Sequence, residues 1–159
     1  LRDRLFNLAP FRSVTYLNGL AADPEEECRR YGELLKGGVD IVCMGIGENG
    51  LIAFNDPAFA EFDDKKAVKI VELDPVCRMQ QVHDGCFASL DQVPTHALTL
   101  TIPTLTQVGV IFCMVPAASK ANAVKACVEG PVTEACPASI LRTCPGAKLY
   151  LDPDSASLL

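Results

Sequence analysis

The densest chemistry in the chain lies in one string, Met44-Gly45-Ile46-Gly47-Glu48-Asn49-Gly50-Leu51-Ile52-Ala53-Phe54-Asn55-Asp56-Pro57. Glycines at 45, 47 and 50 let the backbone turn tightly and approach a ligand closely. Asn49 can orient a hydroxyl but carries no charge, whereas the Asp56 carboxyl can accept a proton. Asp56 before Pro57 also reads as a plain turn residue. Gly45-x-Gly47-x-x-Gly50 formally matches a dinucleotide fingerprint, and Glu72 closes the next strand where a ribose-binding acid belongs. Pro57 curtails the helix that fingerprint requires, so a structural turn is the stronger reading. Lys120, beside Ser119 at the start of a helix, can bring an ammonium and helix-terminal N–H groups onto an oxyanion. An ordinary solvated lysine explains the same residues equally well. His83 and His96 are the only histidines and lack ligand spacing. His83 lies in a polar stretch that could face a cleft, and His96 reads as structural.

Eight cysteines sit at 28, 43, 77, 86, 113, 127, 136 and 144. No pair is two to four residues apart, which excludes zinc-ribbon spacing, and no metal is expected. Cys43, Cys113 and Cys127 fall in apolar runs, where a reduced thiol acts as a small core residue in a reducing cytosol.

The elements that must position these groups alternate. Asp23-Pro24-Glu25-Glu26-Glu27 starts a helix: Asp23 caps, proline suits the first position, and the glutamates meet the positive end of the dipole. Glu26 has capping-box spacing from Asp23. Cys28, Tyr31, Leu34 and Leu35 form the apolar face, and Gly37-Gly38 ends the helix. Val39–Met44 reads as a parallel strand buried on both faces, leading into the glycine loop. Ligands bind beyond the carboxyl ends of such strands. Further strands are expected at 68–73, 97–102, 110–115 and 148–151. Helices are expected after Pro75 through Gln81, over 120–129 with Ser119 as cap and Gly130-Pro131 as stop, and over 137–142. This pattern is α/β with a largely parallel sheet.

With 159 residues, 49% of them hydrophobic, the chain fits one domain. Fourteen basic against 20 acidic side chains, a net charge of −6, argue against a nucleic-acid partner. The longest apolar stretch, around 110–118, is broken by Pro116 and too short for a membrane span. The chain opens at Leu1 with no charged-then-apolar leader, which reads as a piece of a longer reading frame.

The 44–57 string resembles the signature of glucosamine-6-phosphate deaminases, roughly G-x-G-x-(D/N)-G-H-I-A-F-N-(E/D)-P. Tyr16-Leu17-Asn18-Gly19, Gln92-Val93-Pro94, Ser119-Lys120-Ala121, Val128-Glu129-Gly130 and Ala138-Ser139-x-Leu141 agree in order. The resemblance covers nearly all of residues 1–159 as one domain, incomplete because the family carries roughly a hundred further residues upstream. It implies a Rossmann-like α/β/α sandwich, cytosolic, with a small-molecule sugar phosphate as partner. It also implies aldose–ketose isomerisation of glucosamine 6-phosphate with release of ammonia, no metal or organic cofactor, and leaves a homo-oligomer open.

By resemblance Asn49 and Asp56 are catalytic positions, Gly45, Gly47 and Gly50 line the sugar site, and Lys120 contacts phosphate. Arg78 is a second phosphate contact, offset from the family's arginine by a residue or more. Leu51 replaces the ring-opening histidine, a group typically worth ~10²–10⁴ in rate. The phosphate loop and the C2 base lie in the upstream half. A non-catalytic sugar-phosphate binder is the alternative. The related 6-phosphogluconolactonases share the scaffold, but their signature favours serine where this chain has Phe54-Asn55. Without the upstream half, the apolar 39–44 strand is expected to leave the chain prone to association.

Overall fold

The computed structural model describes residues 1–159. After a π-helical turn at Arg2–Phe6, the first helix, α1, spans Pro24–Leu35. Asp23 caps it, its side chain accepting from the Glu26 N–H at 3.0 Å. The reciprocal half of the capping box is not made, because the Glu26 carboxylate pairs with Arg29. Glu27 faces inward and accepts from the Asn18 N–H (2.6 Å) and from Arg30 Nε (2.6 Å). The Arg30 hydrogen bond and the Asn18 N–H pull its carboxyl down to about 2. Arg30 also donates to the Tyr16 carbonyl, so this cluster ties the 16–18 segment to α1.

β1 (Ile41–Met44) leads to the glycine loop, followed by β2 (Val68–Glu72), α2 (Pro75–His83), β3 (His96–Leu100) and α3 (Ile102–Thr106). β4 (Val110–Val115), α4 (Ala121–Glu129), a 3₁₀ helix at Pro137–Thr143 and β5 (Ala147–Leu151) complete the chain. β1, β4 and β5 form a parallel sheet with β4 central. β2 and β3 pair separately and antiparallel, from Val68 opposite Leu100 to Glu72 opposite His96. The fold is therefore α/β with a parallel sheet, but two of the five strands stand outside that sheet. β3 ends two residues short of expectation because Ile102-Pro103 begins α3, where proline's fixed φ suits the first turn.

Partners across adjacent strands share a face. Val42, Met44, Ile111, Cys113, Val115, Ala147 and Leu151 therefore point one way, onto a core completed by Ile102, Leu105, Val124, Cys127, Ala138 and Leu141. Ile111, Val124, Ala138 and Ile102 are at most 1% exposed. The opposite face carries Ile41, Cys43, Phe112, Met114 and Tyr150, and it is open: Ile41 is 55%, Met114 48% and Tyr150 49% exposed. The expectation that residues 39–44 are buried on both faces is thus corrected. β1 is shorter, lies at the sheet edge with β4 on one side alone, and has no cover, since α1 packs chiefly on β2. Of the two helical layers of an α/β/α sandwich, this chain builds one.

A row of exposed apolar groups on a sheet with a free edge is a template for association. The isolated chain is expected to self-associate and to bind a hydrophobic dye, and combining Ile41→Lys with Met114→Lys should lower both signals. A monodisperse wild-type monomer that melts cooperatively would contradict this; light scattering and calorimetry decide.

Candidate functional site

The carboxyl end of β1 runs into a loop that only glycine can build. A Cβ on Gly45 would stand 3.2 Å from the Met114 carbonyl of neighbouring β4. One on Gly47 would collide with the Leu51 side chain at 2.5 Å. Gly50 has φ +85° and faces the Cys136 thiol. The Gly47 N–H donates to the Leu51 carbonyl (2.9 Å), Gly50 N–H to Gly47 (3.0 Å), and Ala138 N–H to Gly50 (2.9 Å). The loop is thereby closed on itself and fastened to the 3₁₀ helix at Pro137.

The next residues carry the chain to Asp56. Asn55, fully buried, donates its amide to the Ile52 and Leu100 carbonyls at 2.9 Å each. The Phe54 N–H donates to Thr99 Oγ1 at 3.1 Å. These bonds pin the segment to β3. Asp56 follows with no exposed surface, and its Oδ2 has no hydrogen-bond partner. Asn49 Nδ2 donates to Asp56 Oδ1 at 2.7 Å and reaches Asp74 Oδ2 at 3.4 Å, while Asn49 Oδ1 accepts from the Leu51 N–H at 3.0 Å. Burial pushes the Asp56 carboxyl up to about 6; the Asn49 hydrogen bond opposes this and the Asp74 charge adds to it.

The structure brings Asn49 and Asp56 together and adds Asp74, which the sequence reading did not single out. Its signal was present: Asp74-Pro75 opening a helix is the same pairing that starts α1. Asp74 caps α2, its Oδ1 accepting from the Cys77 N–H at 2.8 Å. Leu51 turns into a small apolar cluster with Val71, Leu73 and Cys77.

Lys120 lies at the carboxyl end of β4, the strand beside β1, so it shares the sheet end from which the glycine loop emerges. Its ammonium makes no ion pair. Ser119, expected to cap α4, does not; it sits in a 3₁₀ turn, Ala118–Lys120, and α4 starts without a side-chain cap. Arg78 donates to the Leu90 (2.8 Å) and Val93 (2.9 Å) carbonyls, which staples the 90–93 turn to α2. His83 is exposed at the end of α2, and His96 Nδ1 lies 3.0 Å from Thr95 Oγ1. All eight cysteines are free, and no group of three His, Cys, Asp or Glu side chains could hold a metal ion. No helix is long and apolar enough to cross a membrane.

Two clefts, of about 590 and 360 Å³, are lined by α1, the 62–67 loop and, for the larger, α3. The larger reaches Val39 and Val108, at the amino ends of β1 and β4, so it lies at the other end of the sheet from the glycine loop. The expectation that the loop lines a formed cleft is not met by these two.

No family model matches the chain. It is 38% identical over 159 residues to glucosamine-6-phosphate deaminases of Bacillus thuringiensis (strain Al Hakam) and Bacillus cereus (strain AH820). That match takes in 99% of this chain and 59% of each relative, so the chain spans about three-fifths of the curated relatives' length. Among solved structures it superposes on a monomeric glucosamine-6-phosphate deaminase with a TM-score of 0.83 and 38% identity, covering 90% of this chain and 58% of that one. A 6-phosphogluconolactonase from Trypanosoma brucei shares the fold at a TM-score of 0.65 and 20% identity, over 92% of this chain and 58% of that one.

The raised Asp56 carboxyl sets a pH dependence. A buried acid whose folded value lies above its unfolded one stabilises the fold below about pH 4 and loses that contribution as pH rises through about 6. Asp56→Asn is therefore expected to gain stability relative to wild type between pH 4 and 7, by on the order of 2 kcal/mol. Urea unfolding at several pH values measures it; a pH-independent difference would remove the buried charge as its cause.

Proposed function

We propose that this chain, a homologue of the glucosamine-6-phosphate deaminases over its whole length, forms part of an enzyme acting on an amino-sugar phosphate. In the reaction, glucosamine 6-phosphate opens its ring, a proton moves from C2 to C1, and fructose 6-phosphate and ammonia leave. The observation that carries this reading is the buried Asp56 carboxyl, clamped by Asn49 at the carboxyl end of a parallel strand.

Each residue has a place in that reading. Asp56 exchanges a proton with the substrate, and its raised proton affinity suits acid–base work near neutrality. Gly45, Gly47 and Gly50 let the sugar come close to main-chain atoms. Lys120, unpaired and beside the uncapped amino end of α4, binds the phosphate dianion. Arg78 joins it in a second role only by giving up its two carbonyls, so Lys120 is the principal contact. The C2 base and the phosphate loop come from the part of the relatives' length that this chain does not span. Water and the sugar phosphate suffice as reactants, with no metal or organic cofactor. A cytosolic location belongs to the same reading, as does assembly with further copies of the chain.

The decisive assay is ammonia release from glucosamine 6-phosphate by the protein carrying its full natural chain. Leu51→His is expected to raise turnover, by up to the ~10²–10⁴ that a positioned acid–base group supplies. Binding without turnover in both forms would instead identify a non-catalytic sugar-phosphate binder. Lys120→Ala should raise KM about tenfold or more with kcat little changed, because it removes a charge-assisted contact made before and during the reaction. An unchanged KM would take Lys120 out of the site.

A further inference from the structure

The Asn49 amide has a fixed orientation. Its Oδ1 must face the Leu51 N–H, which needs an acceptor, so Nδ2 faces the acids. Both of its hydrogens are then committed, one toward Asp56 and one toward Asp74. One amide thus holds two carboxyls side by side. No cation forms an ion pair with either. The other titratable group facing them is the Cys77 thiol on α2, pushed up to about 11 by its burial and by these two carboxyls, and so neutral. From the glycine loop comes Asn49, uncharged.

Two carboxylates in this setting repel each other, and Asp56 Oδ2 is buried without a donor. One proton between them relieves both problems: a protonated carboxyl donates where a carboxylate can only accept. The two environments decide where that proton resides. Asp74 caps α2, accepting from the Cys77 N–H at the positive end of a nine-residue helix, which stabilises negative charge there. Asp56 is fully buried, and that burial outweighs the Asn49 amide and the Asp74 backbone N–H that act on its carboxyl. Burial thus favours the neutral form at Asp56.

We propose that Asp74 is a positioning residue for Asp56, and that the pair, bridged by Asn49, shares one proton and supplies the acid–base function for which Leu51 offers no atom. The role rests on the functional reading above; the shared proton rests on the geometry alone. In ring opening the C1–O5 bond breaks and its electron pair leaves with the ring oxygen, which takes the proton that the pair shares. The C1 hydroxyl returns its proton to the pair as C1=O forms, so the pair ends as it began. Asn49 fits this chemistry as an aspartate would not, since a third carboxylate would supply no donor.

The test is a titration of the aspartate carboxyl carbons by NMR, with and without Asp74→Asn. Asparagine caps helices as well as aspartate does, so the substitution keeps α2 while removing the charge and the oxygen that accepts from Asn49. In the wild-type protein, Asp56 and Asp74 are expected to report the same two coupled steps. In Asp74→Asn the Asp56 midpoint should fall by about one pH unit. Independent single steps in the wild type, or an unmoved Asp56 midpoint in the variant, would overturn the pair, and the first of these needs no variant to fold. With glucosamine 6-phosphate as probe, the alkaline limb of the pH–kcat profile should move with the midpoint and kcat should fall about tenfold or more, at unchanged KM. A shifted midpoint beside an unmoved rate profile would overturn the catalytic role while leaving the functional reading intact. A coupled titration in a protein that releases no ammonia would defeat the functional reading and the acid–base role with it, and leave only the shared proton.

Discussion

A carboxyl withdrawn from water is expensive to hold in place, and residues 44–60 are organised around holding one. Asp56 could not be buried by a flexible loop, because an ionised or half-satisfied acid would escape to solvent. The structure prevents this in stages. Gly47 and Gly50 fold the loop back on itself, Asn55 locks it to the Ile52 and Leu100 carbonyls, and Thr99 takes the Phe54 N–H. The Phe59 and Ala60 N–H groups then close onto the Asp56 carbonyl at 2.9 Å each. The backbone on both sides of the acid is held, and its own Oδ2 is buried without a partner.

That arrangement makes Asn49 and Leu51 intelligible as a pair. A histidine at 51 would bring a ring N–H to neighbouring acids; leucine brings none and packs on Val71, Leu73 and Cys77 instead. The donors it withholds must come from elsewhere, and the Asn49 amide provides two. Leu51 also fills the space that the missing side chain of Gly47 vacates, so a larger residue at 47 and a leucine at 51 exclude each other. Leucine at 51 is therefore accompanied by a closed set of Asn49 hydrogen bonds rather than by an empty place.

How much of this the amino-acid order revealed depended on whether the deciding interaction was local. α1 was legible because its cap, first-turn proline and acidic first turn lie within five residues, and β4 because its apolar run is bounded by Gly109 and Pro116. The glycine loop was legible through its spacing and its family likeness. What failed was non-local. β-branched composition could not say that β1 ends the sheet or that β2 and β3 pair apart from it, since both facts depend on partners 69 and 24 to 32 residues away. Ser119 had the right type for a cap, yet a 3₁₀ turn moved the helix start past it. Arg78 was read as a second phosphate contact through the family likeness; in the fold its guanidinium also donates to two carbonyls. Asp74-Pro75 marks a helix cap locally, but the contact of Asp74 with Asn49, twenty-five residues earlier, is non-local.

The sheet's open side and its free β1 edge have a common geometric origin. In an open parallel sheet, a pocket forms where loops leave the carboxyl ends of adjacent strands. Here β4 contributes Lys120 on one side of β1, and the other edge of β1 has no neighbour. A strand added along that edge would make β1 interior and cover the unpaired groups beside Ile41 and Cys43. It would also deliver its own outgoing loop next to Gly45. The glycine loop would then stand between two walls instead of one, with Asp56 beneath it and Lys120 opposite. Parallel sheets are stable when both faces are covered, so a layer over Phe112, Met114 and Tyr150 is a second requirement, separate from a strand along the edge of β1.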